Sequence, residues 1–169
     1  MGKIGVFVTG GTFDKDYNLI NGNLGSQHTH VPEMFKRGRS TLDIDIQVLM
    51  MIDSLDMTTE QRQYIVDSCE ASPYHDLIIT HGTDTMVETA RVLAFANLDK
   101  TIVMTGAMRP YKLGSSDGFF NLGSAVAFAQ ILPNGVYIAM NGRYYHWDNV
   151  RKNTSTGYFE ELKTAGSLQ

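Results

Sequence analysis

DLIITHGTDTMVETARVLAFA, residues 76–96, reads as a strand, a turn and a helix in immediate succession. Asp76 to Thr80 is short and wholly apolar at its centre, the pattern of a strand covered on both faces. His81 to Thr85 is polar around one glycine, as turns are. Thr85 and Glu88 then have the spacing of a helix capping box, which predicts a helix from Met86.

The same order recurs in both directions from this unit. Upstream, Lys3 to Thr9 is an apolar strand running into Gly10-Gly11. Ile44 to Ile52 is a second strand, feeding a helix over 59–71 whose entry Thr58 and Gln61 mark by capping-box spacing. Downstream, Thr101 to Thr105 runs into Gly106, Ser116-Asp117 precedes a helix over Phe119 to Ile131, and Gly135 to Met140 is a fifth strand. Residues 13–40 hold Gly, Asn, Asp and His with little periodicity, which predicts a long mobile loop with one short helix near Pro32 to Arg37. After the fifth strand come a polar segment, Asn141 to Thr156, and a short helical pattern near Gly157 to Lys163. Repeated strand, turn and helix with continuous apolar strands define an α/β class: a doubly wound, mostly parallel sheet with helices on both faces. No repeat or linker interrupts the pattern, so one domain over 1–169 is expected, with Gly166 to Gln169 as a small polar tail.

The composition fits a folded domain and narrows its partners. Hydrophobic residues at 43% and charged residues at 19% exclude a disordered or collagenous chain. A formal charge of −4 argues against phosphate backbones and anionic lipid, so no nucleic-acid or membrane partner is expected. Cys69, the one cysteine, permits no intrachain disulfide and fits a reducing cytoplasm. The apolar N-terminal run is too short to span a bilayer and reads as a strand, not a signal.

In an open parallel sheet, ligands bind outside the carboxyl ends of the strands. The residues there are Thr9-Gly10-Gly11-Thr12, Asp53-Ser54, His81-Gly82-Thr83-Asp84 and Gly106 to Pro110, a set rich in hydroxyls. Adjacent Gly10 and Gly11 fit neither the G-x-G-x-x-G nor the P-loop spacing, so a phosphate cradle is disfavoured. A tight turn exposing Thr12 fits better. A threonine nucleophile needs a proton acceptor and donors for the oxyanion, and a second hydroxyl turn offers them. Each segment alone also has a plain structural reading: Thr9 and Thr12 bonding within their turn, Thr83 to Thr85 capping the following helix.

Together, TGGTF (9–13), HGTDTM (81–86) and MTGAMRP (104–110) resemble the two signature regions and an adjoining core segment of the bacterial-type L-asparaginases, the asparaginase/glutaminase family. IDSLDM (52–57) is similar to that family's substrate-binding loop, SSDGFFNL (115–122) matches its S-x-D-G-x-x-N-L stretch, and DNVRKNTST (148–156) resembles the segment carrying its catalytic lysine. The motifs lie in the family's order and cover nearly the whole chain. The resemblance implies an amidohydrolase converting L-asparagine to L-aspartate and ammonia through an acyl-threonine intermediate, with no cofactor and no metal.

By motif position it implies Thr12 as nucleophile and Thr83, Asp84 and Lys152 as a second catalytic group. Tyr17 is the nearest candidate for the family's loop tyrosine. Gly11, Asp53, Ser54, Gly82, Thr83 and Asp84 are the implied substrate contacts, with Ser54 and Thr83 toward the carboxylate and Asp84, with Asp53 as a possible addition, toward the ammonium. A lysine serves as a base where burial or a neighbouring cation favours its neutral form, a role open to Arg151 beside Lys152. Leu55 stands where the family usually has Gln, which implies weaker substrate binding, and Phe13 replaces the commoner Ile. The family usually carries a second, C-terminal α/β domain, so the resemblance places this chain at the N-terminal one and implies a homodimer or higher oligomer. His28 and His30 have metal-like spacing without a third ligand and read as loop histidines. His81 reads as structural, Arg109 and Asp117 as braces, and Cys69 as a buried small residue. Two other readings compete: an asparaginase-like subunit of a transfer-RNA-dependent amidotransferase, and a non-catalytic amino-acid-binding or regulatory module.

Overall fold

A computed structural model of the chain describes residues 2–26 and 28–162. In chain order the elements are β1 (Ile4–Gly10), β2 (Asp16–Tyr17), β3 (Leu24–Gly25), α1 (Val31–Arg37), β4 (Ile44–Ile52), α2 (Thr59–Ala71), β5 (Asp76–Thr80), α3 (Met86–Phe95), β6 (Thr101–Thr105), α4 (Gly118–Ala129), β7 (Gly135–Met140), β8 (Arg143–His146), β9 (Arg151–Lys152) and β10 (Phe159–Glu160). The main sheet has the order β4-β1-β5-β6-β7-β8, parallel throughout except for β8 at one edge.

Strand alternation divides the core between the two faces. Phe7, Leu77, Ile79, Ile102, Met104 and Ile138 point to the face covered by α2 and α3, where Ile65, Cys69, Met86 and Leu93 meet them. Val6, Val8, Ile78, Val103 and Ala139 point to the other face, against Val31, Met34, Leu122 and Ala125 of α1 and α4. This is the doubly wound, mostly parallel architecture that the strand, turn and helix pattern predicts. Burial pushes the Cys69 thiol up to about 12, so it is an inert core residue.

Three expectations change. Thr58 and Gln61 form both halves of the capping box, but Thr85 makes no side-chain cap because its hydroxyl donates to Ser54 O at 2.8 Å. The polar segment 141–156 contains β8, whose Arg143-Tyr144-Tyr145-His146 pairs antiparallel with β7. Phe159–Glu160 is a strand, not the start of a helix, and pairs antiparallel with Arg151–Lys152. Lys163 and the expected tail at Gly166 to Gln169 lie outside the described residues.

Candidate active site

The chain leaves β1 toward β4 on one side and leaves β5 toward β6 on the other, so β1 and β5, which are neighbours, form the switch point of the sheet. Crevices open at such points because successive connections diverge. Thr12 follows β1 and Thr83 follows β5, so topology alone sets the two hydroxyl turns side by side.

Backbone contact makes this closer. Gly11 has φ +78 and ψ −168, and a Cβ built on it would lie 2.5 Å from both Cα and N of Gly82. Gly82 in turn lies against Ser54, whose Cβ and Oγ would each be 2.6 Å from an added methyl. The Gly11 N–H donates to Ile52 O at 2.9 Å. Thr9 Oγ1 donates to Thr80 O at 2.8 Å, bracing the two strand ends across the sheet instead of bonding within its own turn. The three turns after β1, β4 and β5 thus meet through atoms that only glycine leaves uncovered.

Lys152 is brought to this junction from the far end of the sequence. Its Nζ donates to Thr83 Oγ1 at 2.9 Å and to Asp84 Oδ1 at 2.6 Å, and its side chain is 13% exposed. Because Thr83 Oγ1 accepts from Lys152, its own hydrogen points elsewhere, toward Met108 Sδ at 3.6 Å, a weak acceptor that a polar ligand displaces easily. Arg151, on the opposite side of the strand, is held by Glu160 at 2.6 Å, so the group facing Lys152 is the Asp84 carboxylate and not the neighbouring arginine.

β9 is fixed by a relay that sequence patterns do not show. Asn121 Nδ2 donates to Gly106 O and its Oδ1 accepts from Asn141 N, while Asn141 Oδ1 accepts from Phe159 N, opposite Lys152 in the β9–β10 pair. Asp117 accepts from the N–H groups of Met108 and Arg109, so it braces the loop after β6 as expected.

The other predicted residues differ in their readiness. Thr12 is half-buried, and among the described residues its hydroxyl has no hydrogen-bond partner, which leaves it free for a ligand. Asp14, two residues on, is fully buried and accepts from Thr29 Oγ1 and His30 N, pinning the end of the 13–30 loop. Asp53 accepts from Lys15 Nζ at 2.8 Å, a contact that, with the Leu55 N–H, holds its carboxyl below the usual range. Ser54 is buried beneath Gly82. Tyr17 is half-exposed on the β2–β3 hairpin, lining a cavity of about 430 Å³ with Asn23, His28 and His30.

His81 is structural, in line with the sequence reading. It is fully buried; Nδ1 lies 2.7 Å from Gly82 O, which can only accept, so Nδ1 carries the proton and Nε2, 2.9 Å from Thr89 Oγ1, accepts. Burial pushes its imidazole down to about 4; the Gly82 carbonyl opposes this and the Arg62 charge adds to it. The unfolded histidine titrates near ~6.5, so below that pH the unfolded chain binds the extra proton and the fold loses up to about 3 kcal/mol by pH ~4. Asp14, whose carboxyl burial raises, has the opposite sign, its contribution declining as pH climbs above the unfolded carboxyl value. Urea melts from pH 7 downward are expected to show this loss, and a His81→Gln variant to show a flatter profile. Equal slopes for the two proteins would reject the assignment.

Residues 3–163 match the family model described as "Asparaginase, N-terminal". The chain is 33% identical to L-asparaginase 1 of Escherichia coli K12 over 166 residues, covering 92% of this chain and 49% of that protein. It is 31% identical to a probable periplasmic L-asparaginase of Haemophilus influenzae, covering 91% and 47%. In structure it resembles the thermostable L-asparaginase of Thermococcus kodakarensis, with a TM-score of 0.84 at 28% identity over 95% of this chain and 51% of that one. A probable cytoplasmic L-asparaginase from Campylobacter jejuni gives 0.78 at 30% identity, over 95% and 53%. The chain therefore spans about half the length of the curated relatives it matches.

Proposed function

The chain belongs to the asparaginase family, and on that premise we propose that it hydrolyses the side-chain amide of L-asparagine, giving L-aspartate and ammonia through a threonine ester. The observation that supports the reading is the contact of the Gly11 and Gly82 backbones, which joins the turn that bears Thr12 to the turn whose Thr83 and Asp84 bond Lys152.

In this reading Thr12 Oγ1 attacks the amide carbon, its proton passes to the leaving nitrogen, and the C–N bond breaks to release ammonia. Backbone N–H groups at the Gly11 and Thr83 turns stabilise the oxyanion. A water polarised by Thr83, whose oxygen Lys152 holds, then attacks the ester carbon, and the proton it gives up returns to Thr12. Both Asp53 oxygens are engaged, Oδ2 by Lys15 and Oδ1 by the Leu55 N–H, whereas Lys152 takes only Oδ1 of Asp84, so the substrate ammonium goes to the open Oδ2 of Asp84. Ser54 and the Thr83 turn receive the α-carboxylate, and Tyr17 closes from the hairpin. The chain works as one catalytic unit that needs no cofactor. Strongly exposed Leu19, Ile20, Phe120 and Tyr158 support a homodimer or larger assembly. The inert single cysteine supports a cytoplasmic setting. Among the described residues no helix is long and apolar enough to cross a membrane.

Purified protein incubated with L-asparagine is expected to release ammonia, and with hydroxylamine present to form the aspartyl hydroxamate that reports an acyl intermediate. Asparagine binding without ammonia would favour the regulatory-module reading. Ammonia without hydroxamate would remove the covalent step.

A further inference from the structure

Arg62 is the least explained charge near the site. It lies in the first turns of α2, and its side chain is 11% exposed. Among the described residues its one carboxylate contact, Glu88 at 3.4 Å, is 65% exposed and too solvated to be worth much. The fork instead reaches neutral acceptors on separate elements. Nη1 donates to Met57 O at 2.7 Å, at the end of the turn after β4. Nη2 donates to Thr85 Oγ1 at 2.9 Å, and Nε donates to Thr89 Oγ1 at 3.1 Å in α3.

Each of these threonines then has only one hydrogen left to give. Thr85 donates to Ser54 O at 2.8 Å, and Thr89 Oγ1 sits 2.9 Å from the unprotonated Nε2 of His81. One guanidinium therefore fixes the direction of two hydroxyls. Through them it ties the back of the Ser54 turn and the back of the His81–Asp84 turn to the same planar group.

We infer that Arg62 is a positioning residue, clamping the Ser54–Met57 turn to the start of α3 so that the subsite for the substrate carboxylate stays in register with the Thr83 turn. This deepens the amidohydrolase reading and rests on it for its kinetic consequence. A loss of ground-state carboxylate binding raises KM and leaves kcat nearly unchanged, a split that simple destabilisation does not produce. Lysine retains the charge but lacks the planar fork, so it cannot span acceptors on both turns.

The test uses the whole chain with Arg62→Met and Arg62→Lys, each checked for a wild-type circular dichroism spectrum. Both are expected to raise KM for asparagine about tenfold, the effect of one or two lost hydrogen bonds, with kcat within about threefold. Amide hydrogen exchange at residues 54–57 and 83–85 is expected to accelerate relative to α4. Thr85→Val, which removes both the acceptor for Arg62 Nη2 and the donor to Ser54 O but leaves the bonds of Arg62 to Met57 O and Thr89, should give a KM rise of the same direction and serves if the arginine variants do not fold. Unchanged KM in the variants, or full recovery with lysine, overturns the proposal. A wild-type protein that releases no ammonia, yet shows the faster exchange in Arg62→Met, sinks the hydrolase reading and leaves the clamp standing.

Discussion

Thr12→Ala is expected to lower ammonia release from asparagine on the order of 10⁴-fold while leaving the fold intact, because the half-buried hydroxyl has no structural partner to lose. A factor of that size corresponds to about 5.5 kcal/mol of transition-state stabilisation. Lys152→Met tests the other half of the machinery. It keeps an unbranched stem but removes the donor that holds Thr83 Oγ1, and it leaves Asp84 facing no cation. Its loss of turnover is expected to be of the same order, with a different signature. If Thr83 and Lys152 serve the water, the lysine variant forms the ester and fails to clear it, so intact-protein mass spectrometry should find an aspartyl adduct. The Thr12 variant should form none. Losses from the two changes are expected to be far from additive, since both act on one reaction path. Wild-type turnover in either variant removes that residue from the mechanism.

These roles are legible in the sequence to unequal degrees, and the reason is physical. Strands β5, β6 and β7 begin and end where the apolar runs do, because a strand buried on both faces keeps polar residues to its ends, whereas β4, at the sheet edge, carries Asp45 and Gln47 and is only partly covered. The switch point follows from strand order, so the pairing of Thr12 with Thr83 is close to readable once the sheet is recognised. Lys152 is different. Its position depends on β9 pairing with β10 and on the Asn121, Asn141 and Phe159 relay, contacts between residues far apart in sequence that no local window reports. The same holds for the expected helix at 157–163, where Phe159 is buried as a strand residue and its carbonyl accepts from Tyr145 OH. Thr85 shows the limit of capping signals: the box spacing is present, but Arg62 and Ser54 compete for the hydroxyl and win. Arg62 gives no signal at all, since an arginine in the first turns of a helix usually faces solvent.

Gly11→Ala is expected to cost on the order of 4 kcal/mol of stability, through two additive causes, and to lower activity about 10²-fold. The backbone there, φ +78 and ψ −168, is a region that residues with a Cβ essentially do not occupy, at a cost of ~1–3 kcal/mol. The new methyl would also sit 2.5 Å from Cα and N of Gly82, atoms of a turn wedged against Ser54 that cannot rotate aside, and overpacking of this kind costs a further ~1–3 kcal/mol. The turn bearing Thr12 must then move off the turn bearing Thr83, and small misplacements of reacting groups cost ~10²-fold in rate. Gly123→Ala is the internal control: it lies exposed within α4, nothing stands within 4 Å of its added methyl, and alanine there should stabilise by ~0.5–1 kcal/mol. Urea denaturation of the two variants should therefore move in opposite directions. A Gly11→Ala protein with wild-type stability would mean that the turns after β1 and β5 do not touch, and with that contact gone Thr12 would have no claim to share a site with Lys152.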